Sequence, residues 1–379
     1  MKAKVYFIDP QSYSNLGVYD YSLLRHNDIY DIAFFGNALY SYKKFQKAKF
    51  IPLFHYGAYK NKYQKAISYI YSCLQLMLRI WVFCPKLIHI QWTKLLPADY
   101  ALLKVIKKTT SIKVVYTAHN VLPHETGDNQ FLKYKKYYDL VDAIIVHTEK
   151  SKSELKSKFI LPDNKVFVIP HGLLDYDLES GAVISDKIKF QDIYSLKDKI
   201  VFSVLGSQSL YKGSDIIAKV WAETSLLHDF SKFRLLLLGK NNNIDFSGIE
   251  NIDNVFFDDR LISDEEFNAI LKLTDVLVLP YRAISQSGVL LSAINESVPV
   301  LVSDVGGLLE PLSMADIGWN MGEATFENLQ KKLIDIVSMP DKIYAKKNNN
   351  IEWDKVKKYY AWDGIAKITF ELYSDMLKS

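Results

Sequence analysis

The stretch DVLVLPYRAISQSGVLLSAINESVPVLVSDVGGLLE, residues 275–310, decides the fold of the second half of the chain. Its apolar run at 276–279 predicts a strand that ends at Pro280, because proline has no N–H for a sheet ladder. A polar turn, a helix and a second strand follow, which is the order of a parallel α/β unit. Ser287 and Gly288 would start the helix and could offer backbone N–H groups to a phosphate, although a βαβ unit without a ligand fits the spacing equally well.

The rest of the chain repeats this alternation of strand and helix in two series. We therefore predict two Rossmann-like halves, each with a parallel sheet. No G-x-G-x-x-G follows the first strand of either half, so a hydride-transfer dinucleotide site has little support. The predicted parts are a first domain, a linker, a second domain and a C-terminal helical segment, at 1–172, 173–197, 198–350 and 351–379.

Length and composition restrict the class of protein. The chain has 379 residues, of which 49% are hydrophobic, and this is enough material for two cores. A net charge of +4 is too weak to indicate nucleic-acid binding. Two cysteines, Cys73 and Cys84, provide no disulfide framework and fit a reducing compartment. With no recognisable signal peptide before the strand at 4–8, we expect a cytoplasmic protein.

Lysines alternate with aromatic residues in two segments, at 42–50 and 56–65. Cationic heads on apolar bodies suit the surface of an anionic bilayer. A solvated helix face with ordinary packing aromatics explains the same pattern. The longest apolar stretch, 66–83, contains Gln75 and Arg79 and follows a helical period, so we do not predict a membrane span.

Five segments, in order along the chain, carry a resemblance to a known family. They are IHIQW at 88–92, YTAHNVLPHE at 116–125, VIPHG at 168–172, YKG at 211–213 and the region 259–310. With them the chain resembles retaining glycosyltransferases of family 4, over nearly its whole length. The resemblance is closest to the bacterial branch that builds capsule, O-antigen or exopolysaccharide.

The resemblance implies an α/β protein of the GT-B fold, in which two Rossmann-like domains with parallel sheets face each other. The first domain would bind the acceptor and the second a UDP-sugar or GDP-sugar, and the last helix would cross back to the first domain. The implied reaction moves a sugar, with retention, to a lipid-linked saccharide at the inner face of the plasma membrane. It requires no cofactor, and no nucleic acid is implied as a partner.

This sequence departs from the family pattern at a pair of glutamates, whose positions here are Ile284 and Ser292. The arginine that usually follows the strand-end glycine, Gly206, is Ser207. The family's lysine six residues after that glycine is kept as Lys212. The run at 281–288 resembles a variant found in the same bacterial branch.

Transfer from a sugar nucleotide builds negative charge on the departing diphosphate, so the site needs positive charge and N–H donors. Lys212, before a predicted helix, is the leading candidate, and a surface lysine in a tight turn is the alternative. Arg260 and Arg282 could clamp a phosphate, or could form structural salt bridges. The predicted donor-binding residues are Gly206, Ser207, Lys212, Gly213, Arg260, Tyr281, Arg282, Gln286, Ser287 and Gly288.

In the first domain, His119 ends a predicted strand. In similar enzymes a histidine here contacts the donor sugar and pyrophosphate, so we assign His119 and Lys212 as catalytic; a capped core histidine is the alternative. His89, His147 and His171 are interpreted as structural. The predicted acceptor-binding residues are Ser14, Asn15, Gly17, His124 and Glu125.

Asp258 and Asp259 are adjacent, so in a strand they point to opposite faces and we predict no metal site. Two other functions stay open. One is an enzyme without glycosyl transfer on the same architecture, such as a sugar-nucleotide epimerase. The other is a non-catalytic partner protein, which the loss of both glutamates motivates.

Overall fold

The computed structural model describes residues 2–13, 16–41, 45–122, 130–174, 183–249 and 252–378. The chain divides into two compact units, one of Met1–Gly172 with Tyr360–Ser379 and one of Leu173–Tyr359. Each unit contains one sheet, and every strand pair is parallel. The predicted α/β class with two parallel sheets is therefore confirmed.

The first unit contains a seven-stranded sheet in the order β3-β2-β1-β4-β5-β6-β7. Its strands are β1 (Lys4–Asp9), β2 (Asp31–Asn37), β3 (Ala48–Phe54), β4 (Leu87–Ile90), β5 (Lys113–Thr117), β6 (Ala143–Val146) and β7 (Val166–Val168). The helices that connect them are α1 (Gly17–Leu24), α2 (Lys62–Phe83), α3 (Leu96–Thr109), α4 (Phe131–Leu140) and α5 (Glu149–Phe159). The inner strands of this sheet are buried on both faces, as expected where helices cover a parallel sheet, whereas the edge strands β3 and β7 are only partly buried.

The second unit contains a six-stranded sheet in the order β10-β9-β8-β11-β12-β13. Its strands are β8 (Ile200–Leu205), β9 (Phe233–Leu238), β10 (Val255–Asp258), β11 (Val276–Leu279), β12 (Val300–Val302) and β13 (Gly318–Asn320). Its helices are α6 (Val183–Ile193), α7 (Ser214–Leu227), α8 (Asp264–Leu273), α9 (Gly288–Asn295), α10 (Glu310–Met314), α11 (Phe326–Val337), α12 (Asp341–Lys347) and α13 (Asn350–Tyr359).

The last helix, α14 (Trp362–Lys378), belongs to the first unit. Its Tyr373 is fully buried and hydrogen-bonds His89 of β4. The hydroxyl of Tyr30 donates to the carbonyl oxygen of Phe370 over 3.1 Å. The division between the units lies at Tyr359 and Tyr360, so α13 stays with the second unit.

Residues 173–197, predicted as a linker, contain a helix. This helix, α6, is part of the second unit. Just beyond it, the buried Tyr194 donates from its hydroxyl to Glu266 of α8 over 2.9 Å. Helix α8 itself begins as its capping signature predicts, because the Ser263 hydroxyl accepts from the Glu266 backbone N–H at 3.1 Å.

Strands β2 and β3 were not among the predicted strands. β3 is an edge strand that contains Pro52, and its Lys49 and Phe50 belong to the segment 42–50 that was interpreted as a surface. In the structure, the rings of Phe45 and Phe50 each lie 5.4 Å from the ring of Phe34. These two aromatics of the segment 42–50 therefore contribute to the core; residues 42–44 lie outside the described residues.

Helix α2 is the one helix, within the described ranges, whose length and apolar composition would allow it to cross a bilayer. Only 28% of its most apolar window is buried. The buried side chains of α2 form a narrow stripe that packs on the first unit. They are Tyr69, Ser72, Cys73, Leu76 and Ile80.

Candidate functional site

Two turns of the second unit meet at the carboxyl end of its sheet. β8 and β11 are neighbours, and the chain leaves them toward opposite sides of the sheet, which is where ligands bind in open α/β sheets. The turn after β8 spans 206–213 and the turn after β11 spans 280–287. The Arg282 backbone N–H donates to the Tyr211 carbonyl oxygen over 2.7 Å, which joins the two turns.

Glycines allow these turns to pack without side chains between them. Gly213 has φ +69°, and a β-carbon there would lie 2.0 Å from the carbonyl oxygen of Pro280. Gly239, after β9, has φ +139°, and a β-carbon there would lie 2.1 Å from the carbonyl oxygen of Gly206. Both positions therefore require glycine.

Lys212 lies in this pair of turns, and no carboxylate of the described residues pairs with its ammonium. Its Nζ is 3.2 Å from the position of a β-carbon built on Gly206 and 5.9 Å from the centre of the Tyr281 ring. Among the described residues its ammonium has no hydrogen-bond or ion-pair partner, and burial lowers the pKa of this ammonium to about 8. A bound anion would restore the solvation that this cation has lost.

Helix starts contribute further positive potential at the same edge. α7 begins at Ser214, directly after the Lys212 turn, and α9 begins at Gly288. The hydroxyl of Ser287 caps α9 by accepting from the Leu290 N–H at 3.3 Å. The first N–H groups of a helix favour anions, although at α7 those of Ser214 and Ile216 already donate to the carbonyl oxygens of Ser209 and Gly213.

The other predicted donor residues of this region occupy the same turns. Ser207 and Gln286 are half-buried, while Tyr281 is buried and its carbonyl accepts from the Ser303 hydroxyl at 2.6 Å. Gly288 lies against Leu174 of the same unit.

The two arginines are paired with carboxylates. Arg282 donates through both terminal nitrogens to Asp215, over 2.7 Å each. Arg260 donates to Glu266 over 2.7 Å and to Asp258 over 2.9 Å. The sequence allowed two roles for these arginines, a phosphate clamp or a structural salt bridge. In the structure both side chains form salt bridges. Among the described lysines and arginines of this site, Lys212 is the one whose side chain has no ionic partner.

Four histidines of the first unit lie at the carboxyl ends of four adjacent strands: His89, His119, His147 and His171. The Nδ1 of His119 is 3.1 Å from the Nε2 of His147, whose Nδ1 is 2.9 Å from the Ile169 carbonyl oxygen. The His119 ring stacks on Trp92, with 4.4 Å between ring centres. Burial lowers the pKa values of these histidines, of His147 to about 3 and of His119 well below its usual range, so we take them as neutral.

This network fixes the proton positions. The Ile169 carbonyl only accepts, so His147 must donate from Nδ1 and accept at Nε2 from the Nδ1–H of His119. A neutral His119 then has a lone pair on Nε2. The Gln91 amide lies 3.0 Å from that atom and 3.1 Å from the Nε2 of His89, so its NH₂ must face His119 and its oxygen His89.

Both ring nitrogens of His119 are therefore engaged within its own unit. These contacts hold the ring in one tautomer and orientation, as in the core-histidine alternative. Its assigned catalytic role stays a prediction. The sequence identifies Gln91 only as part of the motif at 88–92. Its pairing with two histidines depends on the register of neighbouring strands, which the sequence does not show.

Sequence reasoning missed two buried carboxyl groups in the first unit. Asp9 ends β1 and Asp20 lies in α1, and both are buried. Burial raises the pKa of Asp9 to about 7, and burial together with Asp9 raises the pKa of Asp20. Because both pKa values are raised and each carboxyl group influences the other, we expect the pair to share a proton. The signal in the sequence is an acid within an otherwise apolar run.

We expect Asp20→Asn to flatten the dependence of unfolding free energy on pH. The folded carboxyl binds its proton more tightly than the unfolded chain, so its stabilising contribution is complete below about pH 4 and is lost as pH rises through about 7. Asparagine removes one titrating group of the pair. Urea unfolding across that range measures the effect, with Asp31→Asn, at an exposed position of the same unit, as the control. Identical pH profiles for wild type and Asp20→Asn would contradict a shared proton.

Some predicted site residues lie outside the described residues: Ser14, Asn15, His124 and Glu125. Gly17, the remaining predicted acceptor residue, begins α1 and is buried. Asp258 and Asp259 are used in pairs with Arg260 and Lys240. Within the described ranges, no group of three or more histidine, cysteine, aspartate or glutamate side chains is arranged to hold a metal ion.

Both halves of the chain match models of glycosyltransferase families. Residues 41–173 match the model of Glycosyltransferase Family 4, and residues 199–338 match that of Glycosyl transferases group 1. An uncharacterized glycosyltransferase of Methanocaldococcus jannaschii is 24% identical, and the match covers 64% of this chain. The chain spans 62% of the length of that curated relative.

Solved structures share the whole architecture. A glycosyltransferase from Rickettsia africae has a TM-score of 0.74 at 15% identity, covering 100% of this chain and 99% of its own. Sucrose-phosphate synthase from Thermosynechococcus elongatus has a TM-score of 0.76 at 14% identity, with 100% of both chains covered. Anabaena HepE in complex with UDP has a TM-score of 0.68 at 13% identity, covering 99% and 100%. These similarities confirm the GT-B fold.

Proposed function

Because the chain carries a glycosyltransferase family 4 domain followed by a group 1 domain on a GT-B fold, we propose that it transfers a sugar from a nucleoside diphosphate sugar to an acceptor hydroxyl. The single observation that carries this proposal is Lys212, a half-buried lysine whose ammonium has a lowered pKa and no counter-charge among the described residues. It directly precedes the start of α7, and the start of α9 follows the neighbouring strand β11, as a site for the departing diphosphate requires.

The proposed reaction exchanges one bond at the anomeric carbon. The acceptor oxygen bonds to that carbon as its bond to the β-phosphate oxygen breaks, and the acceptor proton passes to the leaving diphosphate. Lys212 and the N–H groups at the starts of α7 and α9 stabilise the charge that builds on the diphosphate. We propose retention of configuration, with acceptor attack on the same face and no protein nucleophile. His119 and the other predicted residues keep their assigned roles in this proposal.

We propose a UDP-sugar as the donor ahead of a GDP-sugar. The support comes from neighbours of the same fold, since Anabaena HepE is described in complex with UDP and with UDP-glucose. A trehalose-6-phosphate protein of E. coli is described with UDP-2-fluoro glucose. No cofactor or metal enters the proposed reaction.

For the acceptor we propose a lipid-linked saccharide of surface polysaccharide synthesis, at the inner face of the plasma membrane. The support is the resemblance to the capsule and O-antigen branch, together with the lysines and aromatic residues of the first unit. The protein would then act in the cytoplasm, in peripheral contact with that membrane.

A non-catalytic partner protein is the second candidate. This candidate is supported by the position where the family has its second glutamate, which here is Ser292. The Ser292 hydroxyl donates a hydrogen bond to the Gly288 carbonyl oxygen of the same helix, α9, over 3.0 Å. A chain that binds sugar nucleotide but neither hydrolyses nor transfers the sugar would favour this function.

Binding of UDP tests the proposal through its pH dependence. Affinity should be constant below pH 8 and fall above it, because the Lys212 ammonium, with its pKa near 8, loses the proton that attracts the diphosphate. Calorimetric titration with UDP from pH 6.5 to 9.5 measures this. Lys212→Met should bind more weakly and show no change near pH 8. Absence of binding to UDP and GDP at any pH would refute the proposed donor site.

A further inference from the structure

Helix α2 presents a continuous apolar stripe to solvent. The outer stripe consists of Tyr63, Ile67, Tyr71, Leu74, Leu78 and Val82, spaced three or four residues apart, so that these side chains share one face of the helix. Each is 51 to 72% exposed. Soluble monomers rarely expose so many large apolar side chains together, and such patches mark contact surfaces.

The opposite face of α2 is anchored in the first unit. Leu76 and Ile80 belong to its core, and the Ser72 hydroxyl donates to the Leu53 carbonyl oxygen of β3 over 2.8 Å. A transmembrane position would uncover this buried stripe and break the contact with β3. The helix is therefore suited to lying along a surface rather than crossing one.

The sequence on either side of α2 carries charge of one sign, and the carboxylate that contacts the helix, Asp99, accepts from Tyr69 on its buried face. Residues 32–98 contain ten lysines and arginines and no aspartate or glutamate, whereas the whole chain has a net charge of only +4. Exposed cations stand at both ends of the helix: Lys60, Lys62 and Lys65 at the start, Arg79 and Lys86 at the end. This rim of positive charge frames the outer stripe.

We propose that the outer stripe of α2 is the surface by which this protein lies on an anionic lipid bilayer. The helix, about 33 Å long at 1.5 Å per residue, would lie in the plane of the interface. Its apolar side chains would enter the acyl boundary while the rim lysines contact lipid phosphates. A second copy of the chain is the competing occupant, but two-fold pairing of the stripe would bring two cationic rims together.

The bilayer would be a partner of the proposed transferase. This docking surface rests on the proposed function only in that a lipid-linked acceptor would explain why the protein needs a membrane. Vesicle binding requires no sugar nucleotide, so it is measurable separately from donor binding.

The test is flotation of the full chain with vesicles of phosphatidylcholine alone or with about one third phosphatidylglycerol. Wild type should bind the anionic vesicles about tenfold better than the neutral ones, and less at high salt. The triple variant Ile67→Gln, Leu74→Gln and Leu78→Gln should lose about tenfold in binding, because its three side chains no longer enter the acyl boundary. All three positions are exposed, so folding should be preserved.

A matched triple variant controls for the loss of surface hydrophobicity. It carries Leu226→Gln, Leu227→Gln and Ile351→Gln, at positions 77 to 85% exposed in the second unit, and should bind vesicles as wild type does. Equal vesicle binding by both triple variants would overturn the proposal, as would no binding by wild type. A wild-type dimer that the α2 variant converts to a monomer, without vesicle binding, would identify a second copy as the occupant.

Titration with UDP separates this inference from the proposed function. The α2 triple variant should bind UDP as wild type does, since its substitutions lie in the first unit, whereas the Lys212 turn belongs to the second. Loss of vesicle binding with normal UDP binding supports the docking surface. Normal vesicle binding by a protein that binds no nucleotide would refute the donor site and leave the docking surface standing.

Discussion

Lys212→Ala should reduce turnover about a hundredfold, equivalent to about 2 to 3 kcal/mol of transition-state stabilisation. Its side chain is half-buried beside the start of α7, and its ammonium has no counter-charge among the described residues, so water screens its field on a diphosphate less than it would for an exposed lysine. Turnover is measured as release of UDP from a UDP-sugar, with saccharide acceptor or with water as acceptor. Ground-state binding of UDP should fall by a smaller factor, because charge on the diphosphate grows in the transition state.

Lys240→Ala is the matched control for this prediction. Lys240 follows β9 at the same edge of the sheet, but it is exposed and pairs with Asp259 at 2.9 Å. Exposed pairs of this kind contribute little, so turnover should stay within a few-fold of wild type. Unchanged turnover in Lys212→Ala, or an equal loss in both variants, would remove Lys212 from the mechanism.

Gly213→Ala should destabilise the second unit by about 3 kcal/mol, through backbone strain and a steric clash. The residue has φ +69°, and the added β-carbon would lie 2.0 Å from the Pro280 carbonyl oxygen. The two turns must therefore separate, which also disturbs the Tyr211–Arg282 hydrogen bond beside Lys212. Thermal unfolding should show a midpoint lower by roughly 6 to 12 °C for this unit, with weaker binding of UDP.

Gly248→Ala distinguishes this clash from a general effect of replacing glycine. A β-carbon at Gly248 meets no atom within 4 Å, and its φ does not lie in the left-handed region. Its unfolding midpoint should match that of wild type or rise slightly, because alanine restricts the unfolded chain. A Gly213→Ala protein as stable as the Gly248→Ala protein would show that the turns are not held as described.

The second unit was predictable in outline because its signals are local. Apolar runs of four to six residues end at Gly206 and at Pro280, and such strand ends identify the binding edge of a parallel sheet. The edge strand β3 was missed because Lys49 and Pro52 make it look like a surface segment, and its neighbour β2 was missed with it. Helix α6 was missed because its sequence is polar and only weakly periodic.

The contacts of the first unit depend on residues far apart in sequence. Tyr373 reaches His89 from 284 positions along the chain, and Gln91 meets His119 across a strand pair. Periodicity and spacing predict which residues end strands, but not which of them share a proton or a hydrogen bond. The pairing of Arg260 and Arg282 with carboxylates was left open for the same reason.

The placement of α14 has a consequence for the order of events during synthesis. The second unit is one continuous segment, whereas the first is assembled from two pieces separated by it. A ribosome therefore releases everything that the second unit needs before it releases the helix that supplies Tyr373 to His89. The usual N-terminal-first order of cotranslational maturation would be inverted here, with the leading portion waiting for its final helix while the portion made after it is already complete.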